Sequence, residues 1–463
     1  MTHGLARLTP LMCAGVLLLT ATAHAQSLPS IADVARVADS LAGDFIATRG
    51  APGVSIAIVR GRDTLVLGGW GKADLENDVP ATARTVYRIG SITKQFTSAT
   101  VMQLVEQGKV KLDDSIGTYL TTLPITWRAV TVRQLLNHTS GIPSYTNVGM
   151  RWARRWGEEM TPDTLVAITA NDTLWFKPGT SWSYDNSGYV VLGMLVEKVA
   201  GRPWGIDMSD RLAKPLGLGD TRNCLTQPII LRRANGYANE NGQWVNAPFL
   251  AMSPPYAAGA LCSTVGDLAR WNRALATGQV VSAASYAKMT TPEGAAMASK
   301  YGYGLGRDTL AGRTAVTHGG GINGFISSNA WWPDEALSIS VLTNSGSARS
   351  DRLMAQLARA ALGVPLLRPP PRVAISAEDR ARYVGVYALA LGGSPRDFTI
   401  SERDGELYSQ LAGQAAIDLF PLGNHTFGAS FDPSVRIVFT VENGNATMMT
   451  LMQGGQSFVG RRK

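Results

Sequence analysis

Of 463 residues only three are cysteine and five are histidine. One cysteine, Cys13, and two histidines lie in the first 25 residues, leaving Cys224, Cys262, His138, His318 and His425 scattered far apart. No H-E-x-x-H pair occurs, so neither a zinc hydrolase nor another metal site is expected, and no metal or organic cofactor is called for. No G-x-S-x-G elbow occurs, which weighs against an α/β-hydrolase. No block of lysine or arginine stands out, so nucleic acid is not an expected partner. Beyond the N-terminus no apolar run is long enough to cross a bilayer.

What is present is the composition of a large folded protein, 45% hydrophobic and 17% charged with a net charge of +8. The length implies more than one domain. The first 25 residues combine Arg7, an apolar run over 8–19 and the small-x-small triplet Ala23, His24 and Ala25. That is the pattern of a secretory signal peptide, and the expectation is an exported protein, periplasmic or secreted, without a membrane span in its mature form. Export permits a disulfide between Cys224 and Cys262, and that pairing is the expectation over two buried thiols.

Periodicity divides the remainder. Ile31, Val34, Ala38, Leu41 and Phe45 share one helical face. GVSIAIVRGRDTLVLGGW reads as a hairpin turning at Gly61, Arg62 and Asp63. RIGSITKQF opens a helix running to about Gln107, with Gly108 as its stop. A helix- and loop-rich stretch spans about 112–295, and strands return at AVTHGGG, GFISSNAWW and ALSISVLTN before a last helix through Leu353 and Leu357. Strands from both chain ends around a helical insertion make an α+β fold with a mostly antiparallel sheet flanked by helices. The proline-rich stretch 365–375 is expected to be a semi-rigid linker between a 28–364 domain and a 376–463 domain. In the latter, strand-like runs separated by Asp404-Gly405, Asn443-Gly444 and Gly454-Gly455 suggest a small antiparallel β-barrel.

Three short motifs carry candidate chemistry. Ser91 and Lys94 form S-x-x-K at the start of a helix, where a spacing of three puts the amine beside the hydroxyl. The helix dipole favours an anionic serine oxygen, and a buried lysine can shed its proton to serve as base. Tyr184, Asp185 and Asn186 form Y-x-N in a loop before a helix. His318, Gly319, Gly320 and Gly321 close a strand-like run. Singly, each has an ordinary reading: a solvated helix face, a commonplace tripeptide, a flexible turn.

In this order, together with VTVRQLLNHTSGI, FKPGTSWSYDNSGYVVLG, KPLGLGDT, GALCSTVGDLARWNRAL, YGYGLG and HGGGINGF, the motifs resemble the serine β-lactamase-like superfamily over roughly residues 30–363. Within it the likeness is to class C β-lactamases, DD-carboxypeptidases, D-aminopeptidases and related esterases. The C-terminal part resembles the lipocalin-like β-domain that some of these hydrolases carry. The resemblance implies Ser91 as nucleophile, with Lys94 and Tyr184 as acid–base groups whose order in acylation stays open. An adjacent ammonium would favour the Tyr184 anion. It further implies Asn186, His318 and Gly320 at the substrate, and the backbone N–H groups of Ser91 and Gly321 as the oxyanion hole. His318 stands where typical class C β-lactamases have a lysine, a departure that suits the peptidase and esterase branches. His138 is read as a structural turn residue and His425 as a surface residue.

The expected activity is an exported acyl-enzyme hydrolase of peptide-like amides, D-amino-acid peptides above all, or of esters, with peptidoglycan-derived peptides among the candidate substrates. The alternatives are a β-lactamase of modest activity, a penicillin-binding sensor with little turnover, and a β-domain that docks the hydrolase to wall or lipid.

Overall fold

The computed structural model describes residues 28–463 apart from 49, 241, 368–372, 392–393, 404, 412–415, 430–431 and 454–455. The leader, residues 368–372 of the proline-rich stretch, Asp404 and the Gly454-Gly455 pair therefore lie outside the described residues. Two compact units divide at Val364 and Pro365.

The first unit is built on a seven-stranded sheet with every neighbouring pair antiparallel. Helix α1 spans Ile31–Ala47 and begins at Ser30, whose side chain accepts from the Asp33 N–H. Strands β1 (Gly53–Arg60) and β2 (Asp63–Asp74) form the expected hairpin, turning at Gly61 with φ +58°. The sheet order runs from Val79–Pro80 through β2 and β1 to Leu337–Thr343, Phe325–Trp332, Arg313–Ile322 and Gly306–Leu310. Alternation along β1 sends Val54, Ile56 and Ile58 to one face, where Val34 and Ala38 of α1 and Leu357 and Ala361 of the helix Ser350–Leu362 cover them. Ala57 faces the other way, into a larger core.

That second core surrounds helix α2, Thr93–Glu106, in which Thr93 through Met102 are all buried. A helix buried on every side is a core helix, and its polar side chains need partners. Thr97 donates to the Ala257 carbonyl (2.7 Å), Ser98 pairs with the Tyr189 hydroxyl (3.0 Å) and Thr100 donates back to Phe96 (2.9 Å). Phe96 stacks on Trp271 at 3.9 Å between centroids, a contact that contributes about 0.5–1.5 kcal/mol beyond the buried area. Gly108, with φ +69°, follows the C-terminus as the sequence suggests. At the other end Ser91 lies in a 3₁₀ turn, Gly90–Ile92, two residues ahead of the first α-helical residue.

Cys224 and Cys262 are free, buried thiols, which corrects the expected disulfide. Cys262 lies opposite Arg222, while the Cys224 N–H donates to the carbonyl of Ala260. The two cysteines are therefore diagonal neighbours on one face of a small sheet, and such pairs are spaced about 7–8 Å, wider than the Cα separation a disulfide accepts. The two buried thiols are near enough to shift each other's ionisation, Cys224 downward and Cys262 upward.

The second unit closes eight antiparallel strands, from Gly385–Leu391 to Gln456–Arg462, into a barrel. In its interior Phe427 packs edge to face on Tyr383 and Phe439, and Tyr383 and Tyr387 lie tilted against Phe439. Asn443 (φ +50°) and Gly444 (φ +81°) take the paired left-handed conformations of a type I′ hairpin turn.

Candidate active site

The serine turn is gripped from two sides. On one, Tyr87 and Arg88 pair with Ser263 and Cys262, and the Ile89 N–H donates to the Leu261 carbonyl (3.0 Å). On the other, Ser327 donates to the Ile89 carbonyl (3.1 Å). The strand Arg313–Ile322 comes so close that two glycines are required. A Cβ on Gly90, whose φ is +50°, would fall 2.9 Å from the Gly321 nitrogen; one on Gly320 would fall 1.9 Å from the Ile89 carbonyl oxygen.

Lys94, the second residue of the buried helix, is fully enclosed. Its Nζ donates to Asn186 Oδ1 (2.7 Å), to the Ala258 carbonyl (2.8 Å) and to Ser91 Oγ (3.2 Å). Burial disfavours the ammonium and lowers its pKa to about 7, against the pull of Asp185, which raises it. Near neutral pH a large share of Lys94 is therefore a free amine in contact with the serine hydroxyl, an arrangement able to accept a proton from it.

Tyr184, Asp185 and Asn186 enter on the helix Asn186–Ala200. Asp185 caps it, accepting from the Gly188 N–H (2.9 Å) and from Ser140 (3.2 Å). Its own N–H donates to His138 Nδ1 (3.1 Å). Burial raises the Asp185 carboxyl to about 7. Asn186 is clamped by its neighbours: its N–H donates to Ser144 (3.1 Å) and its Nδ2 to Thr146 (2.9 Å), which fixes Oδ1 toward Lys94. The Tyr184 ring lies 4.7 Å from Lys94 Nζ. Its buried hydroxyl is near enough to Ser91 for the serine to favour the phenolate, yet completes no hydrogen bond among the described residues. Burial dominates and pushes the phenol well above its ordinary value, so the anion expected from a neighbouring ammonium is not favoured.

His318 and Gly320 are buried, and the His318 ring lies 6.4 Å from that of Tyr184. Along an extended strand alternate residues share a face. Here 318 and 320 turn inward while 319 and 321 are exposed. His318 Nε2 meets the Tyr301 hydroxyl at 2.8 Å and Nδ1 lies 2.5 Å from the Gly319 carbonyl. Burial, with the nearby Lys94 charge, lowers its pKa to about 4, leaving a neutral ring at pH 7. Gly320 serves the close approach to Ile89. His138, at φ +62°, is a buried turn residue whose ring packs 4.4 Å from that of Tyr184. His425 is exposed and meets the Tyr383 hydroxyl.

Ser91, Asn186, Gly321 and Asn323 give the cleft its polar side, around a space of about 140 Å³. Tyr145, Trp152, Trp156, Leu250 and Ile322 form apolar walls. These wall residues come from the helical insertion and from the end of the glycine strand, and none stood out in the sequence. Trp152 lies in the short helix Met150–Ala153 and Trp156 in the turn that follows it, so no helical periodicity points to them. No cluster of three or more His, Cys, Asp or Glu side chains able to hold a metal occurs among the described residues.

The family model described as Beta-lactamase matches residues 38–363. Penicillin-binding protein 4* of Bacillus subtilis is 26% identical over 87% of this chain and 93% of its own length. A D-aminopeptidase of Gluconobacter oxydans is 28% identical over 68% of this chain, which spans 59% of that protein. Among solved structures, a D-stereospecific amidohydrolase from Streptomyces sp. superposes with a TM-score of 0.62 at 31% identity, covering 73% of this chain and all of that one.

Proposed function

The chain belongs to the Beta-lactamase family and is a serine hydrolase, and from that premise we propose that it cleaves D-amino-acid amides and peptides through an acyl-enzyme on Ser91. The observation that carries the proposal is the enclosed Lys94 amine, 3.2 Å from Ser91 Oγ with its pKa lowered to about 7. Neutral Lys94 takes the Oγ proton as oxygen attacks the carbonyl carbon. The new oxyanion sits between the N–H groups of Ser91 and Gly321. As the C–N bond breaks, the leaving nitrogen receives a proton from the Tyr184 hydroxyl, which Lys94 replenishes. Water, deprotonated by the same pair, then cleaves the ester and restores Ser91.

The geometry favours Lys94 over Tyr184 as the first base, because the phenol's proton is held far more tightly. Asn186 keeps Lys94 on station through Oδ1 and presents Nδ2 toward the cleft side, where it can meet a substrate carbonyl. The D-amino-acid preference rests on the named relatives, and the apolar walls offer a place for a small side chain. The leader pattern of residues 1–25 extends the proposal to an exported enzyme.

The test is covalent labelling by a fluorescent phosphonate or penicillin, beside turnover of D-phenylalanine amide. Wild type should label and turn over, and Ser91→Ala should do neither while keeping its melting temperature. Labelling of Ser91→Ala at the wild-type rate would remove Ser91 from the mechanism. A stoichiometric burst without steady turnover would leave a sensor in place of an enzyme.

A further inference from the structure

Beside the cleft, and sharing Leu250 and Asn323 with it, lies a second pocket of about 140 Å³. Its wall carries Arg88 and Arg233 together with Asn235, and no aspartate or glutamate. Neither arginine has a carboxylate partner among the described residues. The contrast with Arg232, which pairs with Asp220 at 2.9 Å, is immediate. Arg88 is half-buried, its guanidinium 5.8 Å from the centre of the Phe325 ring. Arg233 is exposed.

We propose that this pocket is a carboxylate subsite, and that substrates carrying a free carboxylate near the scissile amide are preferred over neutral ones. The inference rests on the Ser91 hydrolase reading and narrows its substrate class. Three observations carry it. Arg88 lies three residues before Ser91, so their Cα atoms are at most about 11 Å apart, within the span of a dipeptide. The cleft's other candidate cations are occupied: Lys94 is enclosed among three acceptors, and His318 is buried, held by the Tyr301 hydroxyl and the Gly319 carbonyl. Asn323, whose Nδ2 donates to the Pro248 carbonyl (3.0 Å), stands at the junction of the two spaces, fixing the passage between them. Guanidinium groups are the side chains best suited to a carboxylate, which they hold by paired N–H donors.

The test uses matched substrates. One pair is D-alanyl-glycine against D-alanyl-glycinamide, with the charge on the leaving side. The other is succinyl- against acetyl-D-alanine p-nitroanilide, with the charge on the acyl side. Wild type should favour the acid in one pair by about tenfold or more in kcat/KM, chiefly through KM, as expected for one charge-assisted contact. Arg233→Glu should reverse that preference and Arg233→Lys should keep part of it. Arg88→Gln should abolish it; because that residue is half-buried, Arg233→Glu on the surface decides the matter if Arg88→Gln misfolds. An acid-to-neutral ratio near one for wild type in both pairs, or a ratio unmoved in Arg233→Glu, overturns the subsite and leaves the hydrolase standing. Failure of wild type to cleave any of the four substrates sinks both readings.

Discussion

The hydrolase unit and the barrel are both antiparallel β structures with aromatic cores, yet they treat polar side chains in opposite ways. Within the first, Lys94, Asp185, His138 and His318 are buried together with many serines, threonines and asparagines. In the second, Ser409 is the single buried polar side chain among the described residues. Burying an ionisable group is unfavourable unless it is neutralised or hydrogen-bonded. The hydrolase tolerates that cost around one helix because there it produces a neutral amine at neutral pH. The barrel interior, by contrast, is almost wholly apolar.

The largest effect that would sharpen this contrast is at Lys94. Lys94→Met should lower the acylation rate about a thousandfold or more, the usual scale for losing a proton acceptor held at the nucleophile. It should also raise stability near pH 7. Between about 7 and the ordinary lysine value near 10.4 the unfolded chain binds a proton that the folded one does not, so wild-type stability rises with pH across that window. The melting temperature of Lys94→Met should lack that slope; a variant less stable than wild type at pH 7 would contradict the account.

In the barrel the expected loss is of the other kind. Phe427→Ala removes a ring packed against Tyr383 and Phe439 and should destabilise that unit by about 3–5 kcal/mol, read from its denaturant midpoint. A shift below about 1 kcal/mol would mean the interior repacks freely and the contrast is overdrawn.

The smallest effect concerns the pH profile. The acid limb of kcat/KM should fall near pH 7, as a property of the Lys94–Asp185 pair, because the amine must be unprotonated to act. Asp185→Asn preserves a capping side chain but removes the charge that raises the lysine. The limb should move to lower pH, with a change of a few-fold at the optimum. A limb that stays in place would detach it from Lys94. Asp185 contributes to stability in a separate window: raised to about 7 when folded, it makes stability fall with pH between about 4 and 7.

The parts of the site legible in the sequence were those fixed by local geometry. Ser91 and Lys94 are three residues apart on helical backbone, so their contact follows from pitch, and Asn186 follows Asp185, a ready cap. Even the inward turn of His318 and Gly320 could have been read from strand alternation once Gly321 was placed at the cleft. What could not be read were distances across the fold. Nothing in the run of residues places Ala258 at Lys94, Trp152 and Trp156 at the cleft wall, or Arg233 beside Arg88. The diagonal offset of Cys224 and Cys262 depends in the same way on a pairing register between distant segments.

The seven-stranded sheet, unlike the barrel, is open, and the two ends of its strand order bear on how the protein behaves in concentrated solution. One end is the two-residue strand Val79–Pro80, where proline withholds an N–H; the other is the five-residue Gly306–Leu310, with Arg307 and Asp308 exposed. Short strands, a proline and charge are the features that keep a sheet margin from recruiting a second copy. Aggregation by edge-to-edge growth is therefore blocked at both margins of the sheet that carries the active site, and the barrel, being closed, offers no margin at all.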